Sequence, residues 1–153
     1  MWTQNKKTSN NKMKKILIIN SNYYKKISND LIFSAKKKLL KEKFKVKVLE
    51  VPGVHEIPIA IRKNIKKFDG FVALGCVIKG QTPHFDLICT STFNGIINLS
   101  INFNKPIGNG IITAFNLNQA RLRSSRILTK KTNKGLEAAN AVISIIKNGI
   151  KKI

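Results

Sequence analysis

The chain predicts an α/β domain, a three-layer α/β/α sandwich around a four-stranded parallel sheet. Apolar runs of strand length alternate with segments whose apolar residues recur every three to four positions. Two of those runs, 15–20 and 71–78, are almost continuously apolar, as strands covered on both faces are. No internal repeat breaks the alternation. Strands joined through helices run parallel, and right-handed crossovers place helices on both sides of the sheet.

The first strand is Lys15-Ile16-Leu17-Ile18-Ile19-Asn20, closed by Asn-Ser-Asn. From Ser28, a natural cap, Leu31, Ile32, Ala35, Leu39 and Leu40 recur at helical spacing between lysines. Val46, Val48 and Val51 alternate imperfectly with polar residues, which predicts a second strand over 45–51 that Pro52-Gly53 ends. Residues 56–65 read as a helix with Pro58 confined to its first turn. A third strand over 71–78 leads to a long helix over 85–103 carrying Ile88, Ile96 and Leu99. The fourth strand lies within 106–114, and helices follow near 117–126 and 133–147. This arrangement is flavodoxin-like, and such sheets bind ligands beyond the C-terminal ends of their strands. Residues 20–24, 52–56 and 80–84 all fall there. Residues 1–13 form a polar, Asn/Lys-rich tail expected to lack order, and 14–153 form one domain.

One of those ends carries chemistry. The run Leu74-Gly75-Cys76-Val77-Ile78-Lys79-Gly80 passes into Gln81-Thr82-Pro83-His84. Thr82 suits the cap of the next helix, and Pro83 suits its first position, where a missing N–H costs nothing. The free N–H groups of Gly80, Gln81 and Thr82 would then face an incoming anion, assisted by the helix dipole. His84 stands beside them, and an imidazole titrates close enough to neutrality to move protons.

The 153 residues have a hydrophobic fraction of 42%, enough for one ordinary core. No apolar run approaches the roughly 18 to 20 residues that span a bilayer, and the first residues lack the apolar centre of a secretory signal. A cytoplasmic protein is expected. Cys76 sits in an apolar run as a small hydrophobe, and with Cys89 it forms no Cys-x-x-Cys pair or zinc-spaced cluster. No metal or cofactor is expected. The net charge of +22 raises the question of nucleic acid. Yet the lysines are scattered, arginine occurs only at 62, 121, 123 and 126, and no aromatic residues interleave with a basic stripe. Coding bias accounts for such a composition, so no specific nucleic-acid or membrane partner is expected.

Four segments together resemble the lumazine synthase family: Val51-Pro52-Gly53-Val54-His55-Glu56-Ile57-Pro58, the 74–86 stretch, Asn118-Gln119-Ala120-Arg121-Leu122-Arg123, and Asn133-Lys134-Gly135-Leu136-Glu137-Ala138-Ala139. The resemblance runs from about residue 14 to 147. It implies the penultimate step of riboflavin biosynthesis. There, 5-amino-6-(D-ribitylamino)uracil condenses with 3,4-dihydroxy-2-butanone 4-phosphate to give 6,7-dimethyl-8-ribityllumazine, phosphate and water, without a cofactor. By the resemblance, Tyr23 stacks on the pyrimidine. Val54, His55 and Glu56 hold the ribityl chain, with His55 a positional substitute for an aromatic residue. Val77 and Ile78 pack around the ring. Gly80, Gln81 and Thr82 form the phosphate turn, and Arg123 clamps the phosphate. His84 shuttles protons, and Glu137 is placed to orient it.

The sequence departs from the family pattern at Tyr24, usually Asn; at Asn109, usually an aromatic residue donated across a subunit interface; and at Leu122, usually an acid. The resemblance implies a homopentamer whose sites lie between subunits, one chain supplying Tyr23, residues 54–56 and His84, the neighbour supplying Asn109 and Arg123. Residues 124–132 are about three longer than in members that build sixty-subunit shells and lack their glycine, which favours the free pentamer and leaves open whether Lys130 or Lys131 approaches the phosphate. Two other readings stand beside the enzyme. One is a flavin- or lumazine-binding protein of the same fold that has lost catalysis. The other is a basic nucleic-acid-binding protein.

Overall fold

The computed structural model describes residues 12–127 and 133–148. Its elements run β1 (Lys15–Ser21), α1 (Lys25–Lys41), β2 (Lys45–Val51), a 3-10 turn (Val54–Glu56), α2 (Ile57–Asn64), β3 (Gly70–Ile78), α3 (His84–Phe103), β4 (Ile107–Ala114), α4 (Leu117–Ser124) and α5 (Lys134–Lys147). The four strands form one parallel sheet in the order β2-β1-β3-β4. The order reverses after β2, because the chain returns past β1 to add β3 and β4 on its other side. Ligand crevices open at such reversals.

Two apolar layers sandwich the sheet. Ile16 and Ile18 of β1 point toward α1, α4 and α5 and pack with Leu31, Leu39, Ala120 and Val142. Leu17 and Ile19 point the other way and pack with Ile57 and Ile61 of α2, Phe71 of β3 and Ile96 of α3. The period of two along the strand thus feeds both cores, and β1 is buried from Ile16 onward. β2 is an edge strand in which only Val51 is fully buried, which accounts for its imperfect alternation.

Two helix starts differ from expectation. α1 begins at Lys25, three residues before Ser28, so Ser28 is not its cap. Ser28 is buried inside the first turn, where its hydroxyl donates to the Ser21 carbonyl at 2.6 Å and pins the helix to the end of β1. α3 begins at His84, one residue before the expected 85–103 span and one past the first helical position expected for Pro83, and the Thr82 hydroxyl receives the His84 N–H at a long 3.4 Å. Other ends are capped more firmly. Asn104 closes α3 in the left-handed conformation, which suits asparagine. Asn133 is fully buried and does double duty: its Oδ1 accepts the Leu136 N–H, capping α5, while its Nδ2 donates to the Ser124 and Ser125 carbonyls at 2.7 and 3.1 Å. The start of α5 is thereby fastened to the end of α4. The tail over 1–11 and Lys130 and Lys131 lie outside the described residues.

Candidate functional site

The C-terminal ends of β1 and β3 and the 3-10 turn after β2 meet around a cavity of about 470 Å³. Seven residues singled out in the sequence line it: Tyr23, Val54, His55, Glu56, Val77, Ile78 and His84. Parallel topology brings them together, since all strands finish at one edge of the sheet. The walls differ in character. Val54 is buried and Val77 and Ile78 are half-buried, which gives an apolar floor, while His55, Glu56 and His84 are exposed at the rim. Tyr23 is 74% exposed, with most of its ring free to meet a ligand or another chain.

Gly75 sets the depth of this floor. Its backbone does not take a positive φ, so the reason for glycine is space. A Cβ there would fall 2.8 Å from Val54 Cγ1 and 3.0 Å from Ser21 Cβ. Only without a side chain can the 3-10 turn and the end of β1 close together over β3.

The turn at Gly80, Gln81 and Thr82 is exposed beside His84 but does not line the cavity. The space above Gly80 is open, with nothing within 4 Å of a Cβ position. Three further candidates lie elsewhere in the chain. Asn109 stands exposed on β4, in register with Ala73 and well before the strand ends, and its Oδ1 accepts the Ile111 N–H at 3.0 Å. Arg123 is half-buried at the end of α4, donating to the Gln119 carbonyl at 3.2 Å. Glu137 forms an ion pair with Lys134 at 2.7 Å in α5, on the opposite face of the sheet from α3 and His84. One chain therefore brings Tyr23, residues 54–56, Val77, Ile78 and His84 around one cavity, but not Arg123, Asn109 or Glu137.

Ser21, Tyr24 and Gly53, which fall in the strand-end segments 20–24 and 52–56 but were given no role there, also line the cavity, and so do Cys76 and Ile88, which the sequence reading missed. Signals existed for some of them. Ser21 and Cys76 occupy strand ends, and Ile88 follows His84 by four residues, on the same helix face. Both cysteines are free. Burial pushes the Cys76 thiol up to about 11, so it stays protonated at neutral pH and offers no thiolate. Among the described residues, no cluster of His, Cys, Asp and Glu could hold a metal ion, and no helix is long and apolar enough to cross a membrane.

A larger cavity, about 960 Å³, lies on the other side of Tyr23 and Tyr24 against α4. It is lined by Lys25, Lys26, Arg121 and Arg126, and its one carboxylate, Asp30, is already bonded by Arg126 at 2.7 Å. No histidine is among its lining residues, so size alone does not make it the reactive site. The smaller cavity is lined by both histidines of the chain, His55 and His84.

Residues 13–148 match the family model described as 6,7-dimethyl-8-ribityllumazine synthase. Proteins of that name from several bacteria are similar to the chain over most of both lengths. The one from Campylobacter jejuni subsp. jejuni is 39% identical over 137 residues, 86% of this chain and 87% of its own. Those from Novosphingobium aromaticivorans and Afipia carboxidovorans are 37% and 36% identical, covering 88% and 87% of this chain.

Proposed function

We propose, from the premise that the chain belongs to the 6,7-dimethyl-8-ribityllumazine synthase family, that it joins 5-amino-6-(D-ribitylamino)uracil to 3,4-dihydroxy-2-butanone 4-phosphate. The products are 6,7-dimethyl-8-ribityllumazine, phosphate and water. The observation that carries the reading is the cavity itself, which combines an aromatic ring, an apolar floor, a polar 3-10 turn and a histidine. The reaction needs each of these. A planar pyrimidine stacks on Tyr23 and packs on Val77 and Ile78. Ribityl hydroxyls meet Glu56 and the backbone of residues 54–56, which can both donate and accept. Imine formation, loss of phosphate, ring closure and dehydration each move a proton, and His84 serves these steps. The phosphate lies over Gly80, Gln81 and Thr82 in the open space beside the start of α3.

Arg123 supplies the clamp from a neighbouring subunit, in keeping with its distance from the cavity within its own chain. A guanidinium grips phosphate through two parallel N–H bonds, which lysine cannot reproduce. Asn109 reaches the neighbour's site from the outer strand in the same way. A homopentamer in the cytoplasm is the assembly this implies, with no metal and no cofactor. The exposed apolar side chains Ile59, Leu87, Ile97 and Ile101 along α2 and α3 support it, since unpaired apolar faces of that kind mark contact surfaces.

The test is turnover of the two substrates by the purified protein, read as lumazine formation above the uncatalysed background. His84→Ala should slow it about a hundredfold while the fold survives. Arg123→Ala should raise KM for the phosphate substrate far more than KM for the pyrimidine. A folded pentamer that binds the lumazine without accelerating its formation would leave the binding-protein reading in its place.

A further inference from the structure

The end of β1 and the start of α1 put two hydroxyls in the cavity wall that the protein leaves unanswered. Ser21 Oγ has no partner, but it is sealed behind Val54 and Gly75. Tyr24 is placed differently. Its ring is half-buried, borders both cavities, and meets the Tyr23 ring edge to face with centroids 5.0 Å apart and planes at 70°. Among the described residues its hydroxyl makes no hydrogen bond. Burial, then the nearby Cys76 and Tyr23, raise its pKa, so the phenol keeps its hydrogen across the neutral range.

An edge-to-face pair holds its two rings in a defined relation. Tyr23, mostly exposed, has few other contacts to set its plane, and Tyr24 provides one. The same ring carries a phenol donor, without a protein partner among the described residues, to the cavity that Tyr23 also lines. We propose that Tyr24 is a specificity-determining residue of this site, fixing the plane of Tyr23 and donating its phenol hydrogen to a carbonyl acceptor on the edge of the stacked pyrimidine. The proposal rests on the reading given under Proposed function.

Tyr24→Phe keeps the ring and removes the donor; Tyr24→Leu removes both. Each is assayed as the assembled protein, for KM with each substrate separately and for direct binding of the lumazine by fluorescence titration. The phenylalanine variant should raise KM for the ribitylaminouracil about three- to tenfold, the usual worth of one hydrogen bond. The leucine variant should add a further two- to tenfold for the lost ring pair. Lumazine affinity should fall in parallel, while KM for the butanone phosphate and the pH–rate profile stay unchanged. An unaltered pyrimidine KM in Tyr24→Phe overturns the proposal. So does an equal rise for both substrates, which would mean a structural disturbance. A parent protein with neither turnover nor lumazine binding removes the site reading and this proposal with it. An active parent with an unaffected phenylalanine variant removes this proposal alone.

Discussion

Gly75→Ala should injure the core and the cavity in one step. The added methyl would sit 2.8 Å from Val54 Cγ1 and 3.0 Å from Ser21 Cβ. Carbon atoms rest at about 3.5 to 4.0 Å, so the Val54 contact is short by roughly 0.7 to 1.2 Å. Ser21 has little freedom to yield. It pairs with Val51 in the sheet, and its carbonyl holds the Ser28 hydroxyl. The strain must therefore push Val54 outward, carrying His55 and Glu56 with it. Overpacking of this kind costs about 1 to 3 kcal/mol. For a chain of this size that lowers Tm by about 3 to 10 °C. The assay is thermal unfolding of Gly75→Ala, Val54→Ala and the double variant, alongside KM for the pyrimidine. Val54→Ala alone leaves a void and destabilises. In the double variant the new methyl occupies part of that void, so its loss should fall short of the sum by about 1 kcal/mol or more. Strict additivity, or a Gly75→Ala protein as stable as the parent, would refute the argument that glycine is there for space.

Other positions give sharper or opposite outcomes. Gly108→Ala would put a Cβ 2.1 Å from the Ala138 carbonyl oxygen, backbone against backbone, so this variant should fail to accumulate as folded protein where Gly75→Ala survives; recovery of a native circular dichroism spectrum would contradict it. Ser21→Ala removes a buried hydroxyl without a partner, so Tm should hold or rise, and a fall of several degrees would reveal a hydrogen bond overlooked at that site. Native Cys76, 5% exposed and with its thiol pushed up to about 11, should resist iodoacetamide at pH 8 and react only on unfolding. Its folded pKa lies above the ordinary 9.0, so the stability it contributes is complete below pH 9 and declines toward pH 11. Cys76→Ala should flatten that decline in denaturant titrations at the two ends of the window.

Much of the architecture was legible because it rests on local periodicity. The continuous apolar runs at 15–20 and 71–78 became the two central strands, and the lysine-rich segment with apolar residues every three to four positions became α1. What escaped depends on distant partners. Ser28 looks like a cap by residue type, yet its hydroxyl is used by Ser21 across the β1–α1 junction, and no local rule contains that bond. Asn133 was legible as the start of a helix, but not as the clamp on Ser124 and Ser125. The cavity shows the same division. Strand-end logic gathered Tyr23, residues 54–56 and His84, because parallel strands share an edge. Asn109, Arg123 and Glu137 came from likeness to a family, which gives the first two to a neighbouring subunit, and no pattern within one chain could have gathered them.

The two layers of the sandwich finish at different points along the chain, and this matters while it is being made. Every buried residue of the layer under α2 and α3 lies between Leu17 and Ile111. The opposite layer draws Ala138, Ala139, Val142 and Ile143 from α5, the last described helix. During synthesis one side of the sheet can close early, while the other has only α1 and the short α4 to cover it until α5 leaves the ribosome. A chain stopped before residue 134 would thus keep a half-covered sheet with Ile16, Ile18 and Val72 open on one side, a surface that chaperones and proteases are built to notice. Docking of α5 is the step that closes this layer.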